Sequence, residues 1–164
     1  MQTLLVANRG EIAVRIMHTA RRMGIRTIAV FSEGEEHMPH VQEANCAVSL
    51  GSGTLQDTYL NSEKMIGIAL QKGADAIHPG YGFLSENAAF AEDCRQAGLT
   101  FVGPASDAIR VMGNKVEALK TVRKTGVPLL EQYTGSPQEL LQKRKELPYP
   151  VLVKAAAGGG GKGM

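Results

Sequence analysis

Cysteine is scarce in this chain: Cys46 and Cys94 are the only two, far apart and in no CxxC pattern. That rules out a disulfide framework or a thiolate metal cluster, and both side chains are expected as reduced, packed thiols. Charge of one sign is lacking too. A net charge of +2, with Lys and Arg scattered along the chain, argues against a polyanionic partner, so nucleic acid is not expected. No apolar run approaches the length of a membrane span. The opening Met1–Ala7 meets Asn8 and Arg9 too soon to form a signal-peptide core, so a cytoplasmic protein is expected. Glycine, by contrast, is plentiful at 19 residues, and its clusters point to sharp turns and close backbone approach. A chain of 164 residues, 43% hydrophobic, can bury one core and carry part of a second domain.

The periodicity alternates between strand and helix. Thr3–Ala7 reads as a short buried strand, ended by Asn8-Arg9-Gly10. A helix follows from Glu11 to about Met23, with Ile12, Ala13, Ile16, Met17 and Ala20 at helical spacing and Gly24 as its stop. Further strands are expected over 25–31, 47–50, 74–78 and 99–102, and further helices from Asn61 or Ser62 to Gly73, over 87–97 and near 107–112. Such short apolar strands suit a mostly parallel sheet buried on both faces. Right-handed crossovers would bring the loops after the strands to one edge, with Asn8–Glu11 beside Pro79–Asn87.

Beyond residue 103 the pattern changes. Asn114 caps a helix from Lys115 to Thr125. Ser136-Pro137-Gln138-Glu139 is a capping box with proline at the first helical position, so a helix is expected to about Glu146. Val151–Ala155 reads as a strand entering four consecutive glycines. With no return strand to pair with, this second unit reads as cut short.

The local chemistry is concentrated in a few segments. Lys154-Ala155-Ala156-Ala157-Gly158-Gly159-Gly160-Gly161-Lys162-Gly163-Met164 lets consecutive N–H groups turn toward one anion, with lysines beside them, which suits a polyphosphate. It is not a P-loop: Ala156 replaces the first glycine, and Gly163 the magnesium-binding hydroxyl. Asn8-Arg9-Gly10-Glu11 holds one glycine where a dinucleotide fold needs three, and Arg9 and Glu11 would crowd a pyrophosphate. It reads as a tight turn with Glu11 at the helix N-terminus. His78-Pro79-Gly80-Tyr81-Gly82-Phe83-Leu84-Ser85-Glu86-Asn87 is either a ligand-facing loop or a turn over a packed Phe83 and Leu84. His37 and His40, in the acidic stretch with Glu33, Glu35 and Glu36, read as a solvated loop rather than a zinc site. His18 reads as a surface or interface residue. Lys115, just inside a helix N-terminus, could meet a phosphate.

In sequence order, Ala7-Asn8-Arg9-Gly10-Glu11-Ile12-Ala13, His78 to Asn87, Met112-Gly113-Asn114-Lys115, Gly126-Val127-Pro128, and Tyr149-Pro150 with Val153-Lys154-Ala155 and the glycine loop resemble the start of biotin carboxylase. That enzyme opens the acyl-CoA, pyruvate and urea carboxylases. The resemblance implies an α/β fold: a parallel-sheet, Rossmann-like N-terminal domain over 1–103, a helical linker over 104–129, and the truncated start of an ATP-grasp lid over 130–164. It implies that Lys115 and Lys154 contact ATP phosphates, that Gly158, Gly159, Gly160, Gly161 and Gly163 close over them, that Met164 lies near the adenine, and that Tyr81 and Gly82 lie close to biotin. The implied reaction forms carboxyphosphate from bicarbonate and Mg-ATP, then carboxylates biotin N1. The magnesium ligands (Mg2+ being the implied metal), the bicarbonate base and the biotin-facing arginines lie downstream in the family. No catalytic residue or metal ligand is therefore expected in this chain, and the chain alone is expected to be inactive. A biotin carboxyl carrier protein or domain, a carboxyltransferase and a second copy of the enzyme are the implied partners. Asn114 stands where the family often has Asp, a change that keeps the cap, and His18 stands where one member has Arg on a dimer-forming face. Two other readings remain: another ATP-grasp ligase, such as a carbamoyl-phosphate or purine-pathway enzyme, and a stand-alone binding or dimerisation module.

Overall fold

The computed structural model describes residues 1–154 and divides into two compact units, the first being Met1–Ile109 and the second beginning at Arg110. In the first unit, strands β1 (Thr3–Val6), β2 (Arg26–Phe31), β3 (Cys46–Ser49), β4 (Ala76–His78) and β5 (Thr100–Phe101) form one sheet in the order β3-β2-β1-β4-β5. Every pairing is parallel. Helices α1 (Gly10–Arg22), α2 (Pro39–Glu43), α3 (Ser62–Gln71), α4 (Ala88–Gln96) and α5 (Ser106–Gly113) lie between or after the strands.

β1 is buried along its whole length because it is central and covered on both faces. Its alternation sends Leu5 into one core with Ile28, Val30, Tyr59, Met65, Ile77 and Phe90. Leu4 and Val6 enter the other, against Ala13, Ile16, Met17 and Ala20 of α1. Helical packing on both faces explains why these strands read as apolar runs rather than as alternating ones. Where β1 begins, the Asp75 carboxylate accepts from the Gln2 and Thr3 amides at 2.5 and 2.8 Å. Those two bonds hold its pKa below the ordinary aspartate value.

The helices return to the sheet through one repeated device. Gly24, Gly73 and Gly98 each adopt a left-handed φ (+73°, +68° and +78°) just past α1, α3 and α4. The residue that follows each glycine, Ile25, Ala74 or Leu99, bonds back to the carbonyl of Ala20, Ala69 or Cys94. Paired backbone bonds of this kind satisfy the orphaned carbonyls of a helix end and aim the chain into the next strand.

The second unit holds α6 (Lys115–Val122), a 3-10 turn over Arg123–Thr125, and α7 (Pro137–Gln142). Ser136 and Glu139 make the expected capping box. The helix stops at Gln142 rather than near Glu146, because the bonds tighten to i→i+3 turns ahead of Pro148. The strand expected over Val151–Ala155 is not formed across 151–154: the described residues offer it no partner strand, and Leu152 and Val153 are exposed. Ala155 and the glycine loop lie outside the described residues. Among the described residues no helix is long and apolar enough to cross a membrane.

Candidate functional site

β2 and β3 lie on one side of β1, and β4 and β5 on the other. The strand order therefore reverses between β1 and β4, and the loops leaving their C-terminal ends flank a crevice, which is where open parallel sheets bind ligands. These are the two loops expected to meet. Asn8, only 3% exposed, joins them. Its amide donates to the carbonyls of Pro79 and Tyr81 at 2.7 and 2.8 Å, and its oxygen accepts from the Arg9 amide at 2.9 Å. Gly80 must be glycine here: its φ is +67°, and a methyl group on it would come within 2.7 Å of Asn8 Nδ2. The result is a cleft of about 360 Å³ lined by Asn8–Ile12 and Tyr81–Phe83.

On this cleft Tyr81 is 60% exposed, and its hydroxyl donates to the Glu11 carboxylate. That bond raises the pKa of the phenol. Gly82 follows with a φ of +68°. His78, at the end of β4, accepts from the Gly80 amide at Nδ1 (3.0 Å). Burial lowers its pKa, so the neutral ring carries its proton on Nε2.

Behind the loop lies a cluster that the sequence reading missed. Phe83 has a φ of +43° and stacks on Tyr59, with ring centroids 4.9 Å apart and planes 11° apart. The Arg9 guanidinium lies over both rings, 5.3 Å from the Tyr59 centroid and 5.7 Å from that of Phe83. It also pairs with Glu35. Tyr59 OH donates to the other Glu35 oxygen at 2.5 Å. Desolvation pushes the Glu35 pKa up, but hydrogen bonds from Tyr59, Ser32 and Arg9 outweigh it and bring it down to about 2. Burial, then the Glu35 hydrogen bond, raises the Tyr59 phenol.

Most of the acidic stretch is the solvated loop expected, with Glu33, Glu36 and His37 exposed, but two of its residues turn inward. The Glu35 side chain is 13% exposed, and His40, on α2, is fully buried. Neither His40 nitrogen reaches a partner at hydrogen-bonding geometry, although the Val30 carbonyl lies near enough to oppose part of the fall in pKa that burial causes. Pro39 at the first position of α2 was the local signal for that helix. No periodicity could reveal a cluster built from residues 9, 35, 59 and 83.

The remaining candidates belong to the second unit or to the end of the chain. Lys115 opens α6, half-buried. Asn114 caps that helix, accepting from Val116 and Glu117. Those two N–H groups are taken by the cap, so what Lys115 can bring to a phosphate is its side-chain charge. Lys154 is exposed. Gly158, Gly159, Gly160, Gly161, Gly163 and Met164 lie outside the described residues. His18 is half-exposed on α1, with Nε2 3.5 Å from Glu43. Both cysteines are free, and burial of Cys94 pushes its thiol up to about 12. Among the described residues no three His, Cys, Asp or Glu side chains converge to hold a metal ion.

Comparison with known proteins extends this picture. Residues 1–109 match the family described as biotin carboxylase, N-terminal domain. Residues 114–164 match the ATP-binding domain of the carbamoyl-phosphate synthase L chain. Biotin carboxylase 1 of Bacillus subtilis is 48% identical over all of this chain, which spans 37% of that protein. The mitochondrial methylcrotonoyl-CoA carboxylase subunit alpha of Oryza sativa is 50% identical, again over all of this chain, which spans 23% of it. A solved structure of the biotin carboxylase domain dimer of Hydrogenobacter thermophilus 2-oxoglutarate carboxylase, in complex with MgADP, ADP and bicarbonate, is similar with a TM-score of 0.91. It is 45% identical, over 98% of this chain and 36% of that one.

Proposed function

This chain belongs to the biotin carboxylase family of ATP-grasp ligases, and from that premise we propose that it forms the N-terminal part of an enzyme that carboxylates biotin with ATP and bicarbonate. The observation that carries the proposal is the crevice at the reversal of strand order, where Asn8 ties the β1 loop to the loop bearing Tyr81 and Gly82. That crevice can meet a small ring. Tyr81 offers an aromatic face, Gly82 lets a ligand approach the backbone, and Glu11 holds the Tyr81 hydroxyl. In this reading residues 1–103 form the biotin-facing α/β domain, 104–129 are the linker, and the ATP-grasp lid begins near residue 130.

Membership of the biotin carboxylase family, together with the charge of two lysines, supports a nucleotide-binding role for the second unit. Lys115 and Lys154 would neutralise ATP phosphates, Gly158–Gly161 and Gly163 would close over them, and Met164 would lie against the adenine. Positioning and charge neutralisation dominate phosphoryl transfer, so lysines and backbone donors suit the formation of carboxyphosphate. Magnesium would add charge neutralisation when bound with ATP, and no described residue of this chain is assigned to it. The complex of the Hydrogenobacter domain with MgADP and bicarbonate supports the same substrates here. A biotin carrier, a carboxyltransferase and a second copy of the enzyme are the partners this reaction calls for. The match of residues 114–164 to a carbamoyl-phosphate synthase domain supports an ATP-grasp lid as such, and the match of residues 1–109 to the biotin carboxylase N-terminal domain supports biotin as the substrate.

The test is ATP-dependent carboxylation of free biotin by the full-length protein, beside its Lys115→Ala and Lys154→Ala variants. Turnover is expected in the parent, with a loss of about 10²-fold in kcat/KM for ATP in each variant. A full-length protein that consumes no ATP with biotin and bicarbonate would overturn the proposal. Variants with unchanged kinetics would remove the two lysines from it.

A further inference from the structure

Asn8 and Arg9 are consecutive, and they grip the Tyr81–Gly82 loop from its two ends. Asn8 holds the near end through the carbonyls of Pro79 and Tyr81. Arg9 lies over Phe83 at the far end. Between the grips stand Gly82 and the exposed Tyr81 ring. Arg9 is itself fixed, by its ion pair with Glu35 and by the two rings beneath it. Glu35 is fixed in turn by Tyr59 OH and the Ser32 amide.

Two further observations indicate what this arrangement is for. Phe83 holds a left-handed backbone at φ +43°, which a residue with a side chain adopts at a cost and keeps only where its surroundings over-determine it. The Tyr59 ring below and the Arg9 guanidinium are those surroundings. Moreover, the charges of Arg9 and Glu35 cancel, and the remaining charge on the cleft is the Glu11 carboxylate. The cluster therefore offers no attraction to an anion. It supplies geometry.

We infer that Arg9 and Glu35 are positioning residues for biotin carboxylation, acting through Phe83 to hold Tyr81 and Gly82 in place at the cleft. This rests on the reading of that cleft as the biotin-facing wall. Neither residue is a catalytic residue. Their effect falls on the substrate that meets the loop and leaves ATP untouched.

The experiment uses the full-length protein with Arg9→Met, Glu35→Gln and Arg9→Lys, measuring KM for biotin and for ATP separately. Arg9→Met is expected to raise the biotin KM about tenfold, since small misplacements of a binding wall are costly, with the ATP KM unchanged. Glu35→Gln is expected to follow it in the same direction. Arg9→Lys keeps the Glu35 pair but loses the flat stack, and should fall between Arg9→Met and the parent. Amide hydrogen exchange gives an independent reading. The Gly80 and Ser85 amides, both hydrogen-bonded within the loop, should exchange about tenfold faster in Arg9→Met while Val6 and Ala29 in the core strands do not change. Biotin and ATP KM values that rise together, or unchanged exchange at Gly80 and Ser85, would overturn the inference. If the parent protein does not carboxylate biotin at all, the functional reading falls, and exchange alone decides whether the grip exists.

Discussion

Replacing Asn8 with aspartate is a sharper test of the site than replacing it with alanine, although aspartate is nearly the same shape. The Asn8 amide donates to two carbonyls at 2.7 and 2.8 Å from a position only 3% exposed. Alanine removes both donors and leaves the Pro79 and Tyr81 carbonyls, with the Arg9 amide, short of partners. At about 1–3 kcal/mol for each buried group left unsatisfied, partly relieved by water, the expected loss is about 2–4 kcal/mol. Aspartate keeps the acceptor for Arg9 but aims a carboxylate oxygen at the two carbonyls. Burial and repulsion raise its folded pKa above the unfolded value near 3.9, so its penalty grows as pH rises and shrinks as the group is protonated. The ordering expected at pH 7 is therefore parent, then Asn8→Ala, then Asn8→Asp, with the Asp variant closing on the Ala variant by pH 5. Urea unfolding of all three proteins at both pH values measures this. An Asn8→Asp protein within about 0.5 kcal/mol of the parent at pH 7, the usual range for surface changes, would refute the account of the joined loops.

Gly80→Ala should cost more than the about 1 kcal/mol typical of an unfavourable backbone, because its methyl group meets Asn8 Nδ2 at 2.7 Å; a melting temperature equal to the parent's would contradict this. Burial lowers the pKa values of His40 and His78 in the folded protein. The unfolded chain then takes up protons first as pH falls below about 6.5, so stability is full above that value and declines beneath it. Because neither ring nitrogen of His40 is bonded, His40→Leu should leave stability at pH 7 within about 1 kcal/mol of the parent. It should also make the decline from pH 6.5 to 5 shallower, and an unchanged slope in a pH series of unfolding curves would count against the buried, neutral ring.

The elements that were legible in the sequence were those whose signals are local. The stripe Ala13, Ile16, Met17 and Ala20 with Gly24 after it gave α1 to within a residue or two; of the two residues offered as the cap of α3 it is Asn61 that caps it, and the helix expected over 87–97 forms with Asn87 as its cap. The meeting of the Asn8 and Pro79 loops followed from parallel topology alone. Less legible was whatever depends on distant partners. Val151–Val153 has strand composition but no strand to pair with among the described residues, and composition alone does not make a ladder. Glu35 and His40 sit in a polar stretch that reads as solvated. Glu35 is largely covered because Tyr59 and Arg9 come to meet it from other parts of the chain, His40 is buried on α2, and no window along the sequence contains that meeting.

The central place of β1 has a consequence in time. It is made before either of its neighbours, yet it needs partners on both sides: β2 pairs with one edge and β4 with the other. At about 5–20 residues per second, the chain between Phe31 and Ala76 takes seconds to leave the ribosome. During that interval β1 and β2 can pair while the second edge of β1, lined by Leu4, Leu5 and Val6, waits without its neighbour. The innermost strand of the finished protein is thus, on the ribosome, an open edge of the kind that draws in other chains, and the nascent chain has most need of a chaperone before the Ala76–His78 strand emerges to close it.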